Sequence, residues 1–204
     1  MNRTLIACLC FILPGLAPAT AATAIGKVDR VQGDCTGIVE GAAQTLVAAA
    51  AVFPDEPIAT GADARLALSF DDGTTLTLGE NASLVLDTFV YAPEGESVLH
   101  ATVTGAFRYV SGKLGPGATR QASVTTPVAV VGVRGTDFWG GQIDAAFGVV
   151  VLEGSVTVTT PGGTTVLSAP GQGTSVTAEG AAPGPVIDWK QAKIDRALAT
   201  VTFR

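Results

Sequence analysis

The stretch TTPVAVVGVRGTDFWGG, Thr125 to Gly141, decides how this chain is read. It opens as a nearly unbroken apolar run. Arg134 then stands one residue before Gly135 and two after Gly132, and Thr136, Asp137, Phe138 and Trp139 follow. In an extended strand, side chains alternate between two faces. Val128, Val130, Gly132, Arg134, Thr136 and Phe138 share one parity, and Val131, Val133, Asp137 and Trp139 share the other. Either Arg134 follows valines inward, or the glycines mark a bulge that re-aims it. A buried arginine must be paired and its donors satisfied. The expectation is a structural peg rather than a ligand-binding arginine. Its candidate carboxylate partners are Glu153 and Asp137, with Gly132 and Gly135 admitting backbone acceptors for the guanidinium fork.

The same alternation spreads outward from this stretch. Leu66, Leu68 and Phe70 share a face, and Asp71-Asp72-Gly73 breaks the run as a turn. Leu76 and Leu78 resume it, with threonines between them. Leu84, Leu86 and Phe89 continue the rhythm. Ala101–Val110, Phe147–Leu152 and Val156–Val158 also read as strands, separated by Gly, Pro and Asp-Gly signals. Gly73-Thr74-Thr75-Leu76 is echoed by Gly163-Thr164-Thr165-Val166, which fits stacked β layers. The fold expected is all-β, a twisted β-solenoid-like or β-sandwich body of short strands.

The period changes after a Pro/Gly hinge at residues 181–186. Ile187, Ile194, Leu198 and Val201 recur at helical spacing. Asp188 with Gln191 three residues on suggests a capping box. One short helix is therefore expected from about Asp188 to Ala199, within a C-terminal segment at 187–204. It is expected to fold back over the β body rather than to dock on a partner.

At the other end, Met1-Asn2-Arg3 precedes a short apolar run and then small residues, including Ala19-Thr20-Ala21 and Ala22-Thr23-Ala24. This is the pattern of a cleaved export signal over residues 1–24, with the β domain occupying 25–180. Cys8 and Cys10 leave with the signal. Cys35 then remains alone and is expected to behave as a small buried hydrophobe. The chain is expected to be periplasmic or secreted, with no transmembrane segment after cleavage.

The net charge of −6 comes with scattered cations, so the clustered basic footprint of a nucleic-acid binder is missing. His100 is the only histidine and sits in a strand-like segment with no nucleophile elbow in the chain. One His and one remaining Cys do not make a zinc site. No phosphate-cradling or dinucleotide loop is present, so neither cofactor nor metal is expected. Asp71, Asp72, Glu80, Asp137, Asp144 and Glu153 form a pool from which an acid-pair hydrolase could be drawn. Asp71 and Asp72, however, read as solvated turn residues.

Val131-Gly132-Val133-Arg134-Gly135-Thr136-Asp137-Phe138 resembles the signature of the FecR-type domain. Thr125–Ala129 looks like its lead-in, Val151–Val158 like its downstream strand, and Pro170-Gly171-Gln172 like its closing turn. Pro57–Gly61, Ala67–Gly73 and Leu99–Val110 follow in the family's order. The likeness covers about Ile25 to Val176. It marks Gly132, Arg134, Gly135, Thr136, Phe138, Glu153 and Gly154 as a structural motif. It implies an all-β body outside the cytoplasm. Namesake members are membrane-spanning sensors that regulate a sigma factor and meet an outer-membrane receptor. The expectation is a free-standing exported domain without the cytoplasmic regulator of that plan, so direct anti-sigma activity is not carried over.

The function expected is a non-enzymatic envelope module acting on a protein partner, with Asp137, Trp139, Gln142 and Trp189 as candidate contact residues. A glycan- or cell-wall-binding module is the alternative, stacking sugars on Trp139, Trp189, Tyr91 and Tyr109. An acid-pair hydrolase is the third.

Overall fold

The computed structural model describes residues 23–39, 41–113 and 118–204. Nearly all of the expected export signal, residues 1–22, lies outside them, with Cys8 and Cys10.

The described chain is built of strands, with one helix near the C-terminus. The first group is β1 (Gly26–Gln32), β2 (Cys35–Val39), β3 (Ala42–Thr45), β4 (Ala51–Val52) and β5 (Ile58–Thr60). Next come β6 (Arg65–Phe70), β7 (Thr75–Leu78), β8 (Ser83–Val90), β9 (Glu96–Thr104), β10 (Phe107–Val110) and β11 (Thr119–Thr125). Two long strands follow, β12 (Val130–Ile143) and β13 (Ala146–Thr160). The last are β14 (Gly163–Leu167), β15 (Gln172–Val176), β16 (Ile187–Asp188) and helix α1 (Gln191–Ala199).

All sixteen strands belong to one sheet. Its main path runs β3-β2-β5-β8-β9-β11-β12-β10-β7-β6-β1-β4, and β13 branches from β12 to carry β14, β15 and β16. Neighbours are antiparallel except β9 and β11. The path curls so that distant strands face each other across one core. Phe70 on β6 meets Phe89 on β8 with ring centroids 5.8 Å apart. The Thr60 hydroxyl on β5 donates to the Gly79 carbonyl just past β7, at 2.7 Å.

Alternation accounts for which residues face inward. Leu66, Leu68, Leu76 and Leu78 are buried, and the intervening Ala67–Thr77 and Ser69–Thr75 pairs face out. Each such leucine contributes roughly 1.5–3 kcal/mol on burial. Asp71-Asp72-Gly73 makes the expected turn, with Gly73 at φ 77°. The run from Ala101 to Val110 is two strands, divided at Gly105, whose φ of 89° suits glycine.

The strands expected separately at Phe147–Leu152 and Val156–Val158 are one strand, β13. β12 and β13 each change neighbours midway. The first half of β12 pairs with β11 and its second half with β10. The first half of β13 pairs with β15 and its second half with β14. The break falls in both cases at the opening motif.

The C-terminal segment covers the outer face of this crossing. Trp139, Ile143 and Val150 form a second apolar cluster with Trp189, Ile194, Ala197 and Val201. Both faces of the β12–β13 hairpin are thereby buried, which explains the unbroken buried runs Phe138–Gly141 and Ala146–Val151. The helix folds back on its own body. It starts at Gln191 rather than Asp188, and the expected capping box does not form: Lys190 is the N-cap and no side chain caps it. Asp188 is instead held in β16, paired with Gln172. The segment expected to be a hinge is tied down, since Gly184 donates to the Ser175 carbonyl and accepts from the Thr174 hydroxyl.

Candidate functional site

The motif is a corner. Val131 and Val133 are buried on the inner face of β12. Register with β13 then skips, from Arg134 opposite Ser155 to Asp137 opposite Glu153. The skip inserts an extra residue and flips the parity, so Thr136 and Phe138 become the inward residues, at 3% and 0% exposure. Gly135 takes φ 55° and Gly154 on the facing strand takes φ 76°. Gly154 has no room for a side chain: a Cβ there would lie 2.0 Å from the Gly135 carbonyl oxygen. Thr136 locks the corner, donating its hydroxyl to the Ser155 carbonyl at 2.6 Å and its amide to the Ser111 hydroxyl at 3.1 Å. Phe138 packs edge-on against Phe107 and tilted against Tyr109, with centroids 5.7 and 5.6 Å away. Nothing in the structure requires glycine at 132, where a Cβ would sit 3.8 Å from its nearest neighbour.

Arg134 is therefore not a buried peg. The bulge turns it to solvent, and it makes no ion pair with Glu153 or Asp137. Glu153 is exposed as well. Asp137 is held by Arg108 from β10 in a two-pronged pair, Nε to Oδ1 at 2.9 Å and Nη2 to Oδ2 at 2.6 Å. That hydrogen bond is the main cause that raises the Arg108 pKa still further above neutrality.

The buried arginine of this region is another one. Arg120 on β11 shares the parity of the inward Ala122 and Val124, and its Nη2 lies 2.8 Å from Asp72 Oδ2, with the two side chains 7% and 2% exposed. Asp72 is thus not a solvated turn residue. It also accepts from the Thr74 amide and hydroxyl, each at 2.8 Å. Arg120 further donates to the carbonyls of Gly112 and Asp72. The Tyr109 hydroxyl is buried beside this network without a hydrogen-bond partner, and its pKa is raised, chiefly by burial.

A cavity of 440 Å³ opens at the corner, lined by Gly112, Thr119, Arg120, Val133, Arg134 and Gly135 among others. Among the described residues it brings the motif arginine and Arg120 of the buried pair to one lining.

The other expected contact residues separate. Gln142 is exposed near the tip of the β12–β13 hairpin. Trp139 and Trp189 are not surface elements: they are 0% and 6% exposed and pack edge to face under the C-terminal segment. Trp139 donates its indole N–H to the Thr200 hydroxyl at 3.0 Å. Trp189 lies against Gly148 and Gly173, where any Cβ would collide with the indole. Of the four aromatics considered for sugar stacking, Tyr109 is buried too, and only Tyr91 is open, at 43%.

His100 Nδ1 shares a hydrogen bond with the Ser123 hydroxyl at 2.7 Å. Cys35 is buried, and burial is the main cause that raises its thiol pKa. In the acid pool, Asp72, Glu80, Asp137 and Asp144 each lie beside an arginine. Among the described residues no group of three or more His, Cys, Asp or Glu is placed to hold a metal ion. No helix among them is long and apolar enough to cross a membrane.

The sequence profile of the family described as FecR protein matches residues 56–157, half of the chain and all of the corner. The chain belongs to the FecR family. Two crystal structures of a proposed anti-sigma factor from Parabacteroides distasonis share its fold, each with a TM-score of 0.56 and 19% identity. The likeness covers 70% of this FecR chain and 64% or 63% of the other. No curated protein matches the chain.

The sequence missed the Asp72–Arg120 pair, although its signals were present. Arg120 has the parity of Ala122 and Val124, and Thr74 stands two residues after Asp72, as in an Asx turn.

Proposed function

We propose that this chain is an exported, non-enzymatic module that works through protein–protein contact in the cell envelope, in a signalling-associated role. Membership of the FecR family carries this reading. The fold shared with a proposed anti-sigma factor agrees with it, and the export-signal pattern at residues 1–24 supports a contact outside the cytoplasm.

The contact surface is not the tryptophans, which hold the C-terminal segment down. Gln142 and the outward side of the corner at Arg134 are the exposed parts of the motif strand. A second open element is β3, an edge strand whose four residues are all exposed. Such an edge can accept a strand from a partner.

The test is site-specific photo-crosslinking in cells, with the probe placed at Gln142, Arg134 or Ala43 of the full chain. One protein captured reproducibly from the envelope fraction, at some of these positions and not others, supports the reading. Capture of wall polysaccharide alone at every position refutes it. Deleting the C-terminal segment is a poor probe, because it uncovers Trp139 and Val150 and disturbs the fold itself.

A further inference from the structure

We infer that the corner cavity is a binding site for a small oxyanion ligand, a carboxylate or phosphate carried on a short apolar body, gripped by Arg134. The inference does not depend on the proposed protein contact. In this acidic chain most arginines are engaged: Arg65, Arg108, Arg120, Arg196 and Arg204 each lie beside a carboxylate, and Arg30 sits over the Phe203 ring. Arg134 has neither kind of partner among the described residues, yet it lines the 440 Å³ cavity. A solvated arginine with nothing to hold is ordinary on an open surface. Here a bulge between two positive-φ glycines directs it to a concavity.

The charges around the cavity favour an anion. Asp72 is neutralised by Arg120 and Asp137 by Arg108. Lys113, exposed and without an ion pair among the described residues, follows the lining residue Gly112. Glu153 on the facing strand is the opposing charge, exposed and outside the lining. A guanidinium fork binds a carboxylate or phosphate through two parallel hydrogen bonds. Val133 and Ala118 supply an apolar wall. The volume falls in the range of small-ligand pockets, about 300–1,000 Å³.

The experiment titrates the mature protein with benzoate, phenyl phosphate and benzamide, followed by amide chemical shifts. Benzamide keeps the shape of benzoate and removes its charge. Saturable shifts at Gly135, Val133 and Thr119 with benzoate or phenyl phosphate are expected, with a dissociation constant on the order of 1 mM. Which anion binds tighter identifies the head group. Arg134→Gln should weaken binding at least about tenfold through loss of the charged fork, with an unchanged melting temperature because Arg134 is exposed. Arg134→Lys should retain part of the affinity. Shifts as large with benzamide, or unaltered in Arg134→Gln, or absent with both anions, would overturn the assignment.

Discussion

The corner makes a sharp comparison between two glycines. Gly135 and Gly154 both occupy left-handed backbone, at φ 55° and φ 76°. Replacing either with alanine costs about 1–2 kcal/mol for that conformation alone. At Gly135 nothing lies within 4 Å of the added Cβ, so the backbone cost is the whole cost. At Gly154 the Cβ would stand 2.0 Å from the Gly135 carbonyl oxygen and 3.1 Å from the Thr136 Cα. These are backbone atoms, so no side chain can swing away. The two long strands must part, and overpacking of this kind adds about 1–3 kcal/mol.

Gly154→Ala should therefore destabilise by about 4 kcal/mol, and Gly135→Ala by about 1.5 kcal/mol. For a domain of this size 1 kcal/mol shifts the melting temperature by about 2–4 °C. The expected losses are then roughly 12 °C and roughly 4 °C. Urea unfolding with a shared m-value gives the free energies directly. Gly135→Asn should be milder than Gly135→Ala, because asparagine tolerates the left-handed region. Equal losses for the two alanine variants would refute the account of Gly154 as a contact glycine.

The buried pair predicts that Asp72→Asn destabilises by about 3–5 kcal/mol, measured by urea unfolding, with Asp72→Leu/Arg120→Met recovering much of it. Trp189→Ala should cost about 3–5 kcal/mol in the same assay, and dye binding should report the uncovered Trp139 cluster. Cys35, 1% exposed and with a raised thiol pKa, should resist a thiol reagent until the protein unfolds; native-state labelling at the rate of a free thiol would contradict this. Glu56 is buried with one oxygen unpartnered, and burial raises its carboxyl pKa. Its unfolded form deprotonates first as pH rises above about 4.3, so its contribution to stability is present in acid and is lost as pH rises to the folded pKa. The melting temperature of Glu56→Gln relative to the parent should therefore increase from pH 4 toward pH 7, and a flat difference would count against the assignment.

The strands were legible because buried residues alternate with more open ones at β6, β7 and β9, most plainly as Thr-Leu-Thr-Leu in β7, with the period of a half-buried sheet. The corner was legible only as a choice. Glycine is compatible with both ordinary and left-handed backbone, so Gly132 and Gly135 look equivalent in sequence although only Gly135 has positive φ. Strand parity therefore could not say on which side of the bulge Arg134 falls. The partner of Asp137 was hidden for a different reason. Arg108 lies 29 residues away and reaches it because β10, not β11, pairs with the second half of β12. Trp139 and Trp189 looked like surface aromatics because nothing local reveals that the C-terminal segment from Trp189 to Val201 returns to cover β12. The helix periodicity was right, while its start failed because β16 claims Asp188 for strand pairing.

The ion pairs follow a pattern that bears on Arg134. Asp72 joins the β6–β7 turn to β11, and Asp137 joins β12 to β10. Asp144, at the tip of the β12–β13 hairpin, joins it to α1 through Lys193 and Arg196. Each pair ties together parts of the chain far apart in sequence. Only the first is deeply buried; the surface pair at Asp144 is worth little in stability and serves mainly to orient the helix. A chain of net charge −6 has carboxylates to spare, so a structural role for Arg134 would need only one of them placed nearby. Glu153 and Asp137 flank the same bulge, yet neither pairs with Arg134. The bulge thus does two separable things. Its glycines let β12 and β13 change neighbours, which is a matter of folding, and it holds one guanidinium open at a cavity, which folding does not require. The Gly154 variant probes the first and the Arg134 variant the second, so a protein that keeps its melting temperature and loses anion binding in Arg134→Gln would show that the two have come apart.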